Sequence, residues 1–119
     1  MRKTKAIGLA VFAALLLRPF ALLAETISWE DGAKYIGKDV TATGTIVAAR
    51  NTGKVCFLNF DKDYKKNLSV VIFATNFSKF PRSPERYYNN KFVEVTGLII
   101  EANGAPEIII SRPDQIRIK

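Results

Sequence analysis

The residues of this chain that could do chemistry are suited to holding a ligand rather than transforming one. Phe57 and Asn59 alternate in an apolar run at residues 54–60, so both face one side if the run is a strand. Ser69 and Phe73 share a face of the next run, residues 68–73, and Thr45 lies on the outer face of an earlier one. Aromatic rings placed this way would stack on nucleic-acid bases, at ~1–3 kcal/mol per base. Asn59 and Ser69 would add hydrogen bonds. Arg50, Lys54, Lys62, Lys65 and Lys66 lie in or beside the connections and would meet phosphates. Each group also has a plainer reading. Both Phe rings could belong to the core, and lysine-bearing loops are commonly just solvated.

Catalysis finds little support. The chain has no histidine, which removes the commonest general base and metal ligand. Cys56 is the single cysteine and sits inside an apolar run, so it reads as a buried, inert thiol with no internal disulfide. There is no Gly-rich loop of the kind that cradles phosphates. Asn59, Asp61 and Asp63 alternate as in a calcium loop, but Tyr64 stands where the turn needs Gly and Val70 where the last ligand needs Glu. Glu94, Glu101 and Glu107 fall on neighbouring strands and read as solvated strand-face acids. Neither an enzyme nor a bound metal or other cofactor is expected.

The elements that must position these residues are mostly strands. Ser28 can cap a short helix over residues 28–36, with Asp31 in a weak capping-box position, Trp29 and Ile36 as core anchors and Gly37 as a stop. Residues 40–49 alternate with β-branched Val, Thr and Ile, and predict a strand in which Gly44 marks a bend or bulge. Strands follow at 54–60, 68–73, 92–101 and 106–111, with 115–118 extending or covering the last. Pro81 and Pro84 forbid one long helix between the third and fourth strands, so short turns at 76–80 and 84–88 are expected. Phe77, Phe80, Tyr87 and Tyr88 would plug the bottom of a barrel. Asn103-Gly104 predicts a tight hairpin. This order predicts an all-β, five-stranded Greek-key OB-fold barrel with a short N-terminal helix and a helical segment between strands 3 and 4.

Residues 1–24 are unlike the rest. A basic start (Arg2, Lys3, Lys5) precedes an apolar run over residues 6–17, followed by Arg18, Pro19 and a small-residue exit at Ala24. That pattern predicts a cleaved secretory signal, with an uncleaved anchor as the alternative. The remaining domain, residues 25–119, would be periplasmic or secreted from a bacterium and free of the membrane. The whole chain carries 18 basic and 11 acidic residues, a net charge of +7. Four of the basic residues leave with the signal and no acid does, so the net charge falls to +3. That mild excess permits an anionic ligand without demanding one.

The stretches 40–47, 54–60, 93–99 and 106–110 resemble the first, second, fourth and fifth strands of nucleic-acid-binding OB domains. The broad resemblance is to the anticodon-binding OB domains of aminoacyl-tRNA synthetases. A closer one is to short exported bacterial OB-fold proteins and to OB modules attached to secreted nucleases. The resemblance implies a ligand on the strand 2–3 face and an aromatic at the Phe57 position that stacks on a base. Where synthetase-type domains carry an Arg-Asp pair after the second strand, this chain reads Phe60-Asp61-Lys62-Asp63. The expected function is binding of nucleic acid, single strands preferred, by a monomer or weak dimer. The alternative is an exported module for a protein, peptide or small ligand.

Overall fold

The computed structural model describes residues 24–119; all but the last residue of the expected signal segment, residues 1–24, lies outside them. The chain opens with β1 (Glu25–Ser28) and a 3-10 helix, Trp29–Tyr35. The Ser28 hydroxyl accepts the Glu30 backbone N–H at 3.3 Å, so the expected cap forms. The capping-box role expected of Asp31 is replaced by an ion pair with Lys34 at 3.3 Å. Trp29 and Tyr35 pack against the core, but Ile36 does not anchor it and is exposed. The reason is that the helix ends a residue earlier, and Gly37, at φ +90°, turns the chain away.

Next come β2 (Asp39–Thr45), β3 (Ala48–Asn51), β4 (Val55–Asn59) and β5 (Ser69–Phe73). A 3-10 helix at Ala74–Lys79 and α1 (Pro84–Tyr87) fill the interval the prolines mark. The fold closes with β6 (Phe92–Ala102), β7 (Ala105–Ile109) and β8 (Ile116–Ile118). Hydrogen bonding orders the strands β1-β2-β6-β7-β5-β4-β3, with β8 also on β6. The domain is mostly β, and its order is compatible with an OB-like fold.

Among the described residues, eight strands stand where five were expected. The predicted first strand divides at Ile46–Val47, where it changes partners. Thr45 still pairs with Phe92 of β6, whereas the Val47 N–H donates to the Asn59 carbonyl at 2.9 Å and Ala48 pairs with β4. Because β2 and β3 are one stretch, the two sides of the sheet order meet there. The extra edge strands β1 and β8 are short and pair on one side only. Gly44 is not a bulge, since its pairing with Val93 is regular.

Alternation makes the core. Val40, Ala42 and Ile46 turn inward from the first stretch, Leu58 from β4, Val70 and Ile72 from β5, and Val93, Val95 and Ile99 from β6. Each buried Val, Leu or Ile among them contributes about 1.5–3 kcal/mol through burial, and Ala42 less. Phe80 and Tyr88 join this core and Phe77 packs against it, but Tyr87 is exposed. A four-residue helix can turn only one of two adjacent tyrosines inward, and Tyr87 meets Tyr88 edge to face at its rim. Cys56 is fully buried, and burial pushes its thiol up to about 12, so it stays protonated and unreactive.

Candidate ligand-binding face

Register places the expected site residues in two rows across one face. Arg50 of β3 pairs with Phe57 of β4, Phe57 with Val71 of β5, and Val71 with Ile109 of β7. The adjacent row runs Asn59, Ser69, Glu107 in the same order. The first row is apolar with a cation at its end; in the second, Ala48 of β3 stands beside three polar residues.

Phe57 is half-buried, and the Arg50 guanidinium lies 4.7 Å from its ring centroid. That distance is within reach of a cation–π contact. Beside them is a concavity of about 390 Å³ that Phe57, Ser69 and Glu107 floor. Tyr64 and Lys65 rim it from the loop 61–67, and Asn103 from the β6–β7 hairpin. Both rims are built firmly. Asp61 Oδ2 accepts the Asp63 N–H and the Asn67 amide, each at 3.0 Å, which ties the loop across its base. Asn103 and Gly104 both have positive φ, +52° and +81°, as a two-residue hairpin turn of the Asn-Gly kind requires.

The ten expected binding residues do not all meet here. Arg50, Phe57, Lys65 and Ser69 line the concavity. Asn59 is 6% exposed and Ser69 only 4%; the Ser69 hydroxyl donates to Asn59 Oδ1 at 2.8 Å. A buried polar pair must satisfy itself, so Asn59 supports the floor instead of presenting its carbonyl to a ligand. Val71, between Ser69 and Phe73 on the same side of β5, is buried as well. Phe73 is 42% exposed, yet it pairs with Val55 at the far end of β5, near Lys54 and away from the concavity. Lys62 and Lys66 are exposed on the loop without lining the hollow. Thr45 lines a different concavity, with Trp29 and Phe92.

Glu107 was expected to be a solvated acid. It lies instead in the floor, because the parallel pairing of β5 with β7 sets it beside Ser69. It has no ion pair among the described residues, and burial raises its carboxyl above the ordinary range. An acid raised on folding destabilises the fold at pH values above its folded pKa, and the loss disappears as pH falls towards the ordinary carboxylate range. Glu107→Gln is therefore expected to melt higher than the parent at pH 7.5, with the gap narrowing towards pH 4. Thermal melts across that range check it, and a gap that is constant with pH would contradict it.

No protein-family model matches the chain, and no curated protein matches it in sequence. Solved structures do resemble it. The asparaginyl-tRNA synthetase of Entamoeba histolytica superposes with a TM-score of 0.54 at 18% identity, over 81% of this chain and 24% of that one. A Leishmania major Friedlin protein assigned as an aspartyl-tRNA synthetase gives 0.55 at 11%, over 87% of this chain and 22% of the other. The chain thus spans less than a quarter of either synthetase. At these identities the likeness is one of fold: residues 24–119 form a mostly β domain of a kind also built into aminoacyl-tRNA synthetases.

Proposed function

We propose that this chain is an exported OB-type binding module that takes single-stranded nucleic acid on the β4–β5–β7 face and catalyses nothing. In this reading β2 and β3 are one bent strand. Together with β4, β5, β6 and β7 it makes a five-stranded Greek-key barrel, with β1 and β8 as additions. The observation that carries the proposal is the Phe57 ring, half-buried beside a polar row and under a cation, at the edge of a hollow with a lysine on its rim. A base stacks on the ring, Ser69 and Glu107 meet its edge, and Arg50 and Lys65 meet the backbone. Glu107 suits a base edge that offers N–H donors. The basic start and apolar run before Ala24 support export.

Fluorescence anisotropy with labelled single-stranded DNA, single-stranded RNA and duplex tests this. Contacts from Arg50, Lys62, Lys65 and Lys66 would give a log–log salt slope of about −3 on single strands. Single strands should bind more tightly than duplex. A flat salt response would sink the proposal. It would turn attention to a protein ligand on the same side of the sheet, which the exposed Phe73 and Ile109 would serve.

A further inference from the structure

A second concavity lies where β2 gives way to β3, and it differs in chemistry from the first. It is an open hollow of about 520 Å³. Trp29 comes to it from the first 3-10 helix, Phe60 and Asp61 from just past β4, and Phe92 from the start of β6. Trp29 and Phe60 stack with ring planes 5° apart and centroids 6.3 Å apart. Phe60 is buried, while Phe92, paired with Thr45, is 46% exposed. Ser28, Thr43, Thr45 and Val47 complete the lining with Gly44.

The charge of this hollow is one-sided. Among the described residues, Asp61 is the only ionisable one that lines it, and no Lys or Arg does. One carboxylate oxygen, Oδ2, already accepts two hydrogen bonds that hold the loop. Among the described residues, Asp61 makes no ion pair and Oδ1 has no hydrogen-bond partner. Ring faces and an uncompensated carboxylate both attract a cation.

The kind of cation follows from what is missing. A metal ion needs several oxygen ligands, and one free carboxylate oxygen cannot supply them. A primary ammonium has three N–H groups to satisfy, but the Ser28 and Thr43 hydroxyls in the lining already bond Glu30 and the Ile27 carbonyl, which leaves the Thr45 hydroxyl and Asp61 Oδ1 as uncommitted partners. An alkylated ammonium needs no hydrogen bonds, because its charge is spread over methyl groups that pack on ring faces. We propose that this concavity binds a quaternary ammonium group, with Trp29 and Phe92 as its walls and Asp61 as its counter-ion. The site is separate from the Phe57 face and does not depend on the nucleic-acid reading.

Trp29 is the only tryptophan, so the intrinsic fluorescence of the full chain reports on this hollow directly. The probes are choline and its uncharged isostere 3,3-dimethyl-1-butanol, at constant ionic strength. Choline is expected to give a saturable change in the millimolar range, with the isostere at least ~5-fold weaker. Phe92→Leu, away from the loop, should weaken choline ~3-fold or more and leave anisotropy with single strands unchanged. Asp61→Asn should do the same to choline. Equal responses to choline and the isostere would reduce the site to a plain apolar groove and overturn the proposal. So would the absence of any saturable change up to about 50 mM choline.

Discussion

Phe57→Ala is expected to weaken binding of single-stranded nucleic acid about tenfold or more, the largest effect of any single change on the β4–β5–β7 face. The magnitude follows from losing one base stack, worth ~1–3 kcal/mol. Arg50 makes the prediction sharper. Its guanidinium lies over the Phe57 ring in the free protein, so a stacking base must displace it, and the freed cation then meets a phosphate. Removing the ring therefore costs affinity without removing a backbone contact. The salt slope of Phe57→Ala should stay close to that of the parent, while Lys65→Ala should make it shallower by about 0.7. Phe57→Leu keeps apolar bulk and loses the aromatic face, and should recover little. Because Phe57 is half-buried, melting curves must accompany each titration. A folded Phe57→Ala protein with parental affinity would show that any binding comes from a basic surface alone.

The sequence made some of this site legible, and the division has physical causes. Period-two alternation in residues 40–45 and the Asn103-Gly104 turn are local signals, and both appear in the structure as expected. The outward direction of Phe57 followed from its alternation with Leu58, which is fully buried. Glu107 could not be placed the same way. Its position in the floor depends on a parallel pairing between β5 and β7, strands more than thirty residues apart, and nothing near Glu107 in the chain encodes it. The partner change at Ile46–Val47 is likewise a property of the closed sheet order, so one continuous apolar pattern hid two strands. Asn59 shows a third limit. Alternation predicted its side correctly, but whether a residue on that side stays open depends on what covers it, and Asn59 is buried against Ser69.

Gly44→Ala is expected to cost about 1–3 kcal/mol of stability, as overpacking a filled site does. A Cβ at position 44 would stand 2.3 Å from Trp29 Cδ1 and 2.9 Å from Phe60 Cδ1. Those atoms belong to two rings stacked on each other, so neither can move without the other. For a domain of this size each kcal/mol lowers the melting midpoint by about 4–8 °C. Gly97→Ala is the fitting comparison. Its Cβ would crowd one methyl, Ile108 Cγ2, at 2.7 Å, and touch Gln115 Nε2 at an ordinary 3.6 Å. The Gly44 variant should also shift the fluorescence of Trp29, which the Gly97 variant should not. Equal melting points for Gly44→Ala and the parent would mean that Trp29 does not sit over Gly44. The substitution reaches function because Trp29 lines the second concavity while Phe57 belongs to another face. Below its melting point, Gly44→Ala should lose its response to choline and keep its affinity for single strands, which separates the two sites with one methyl group.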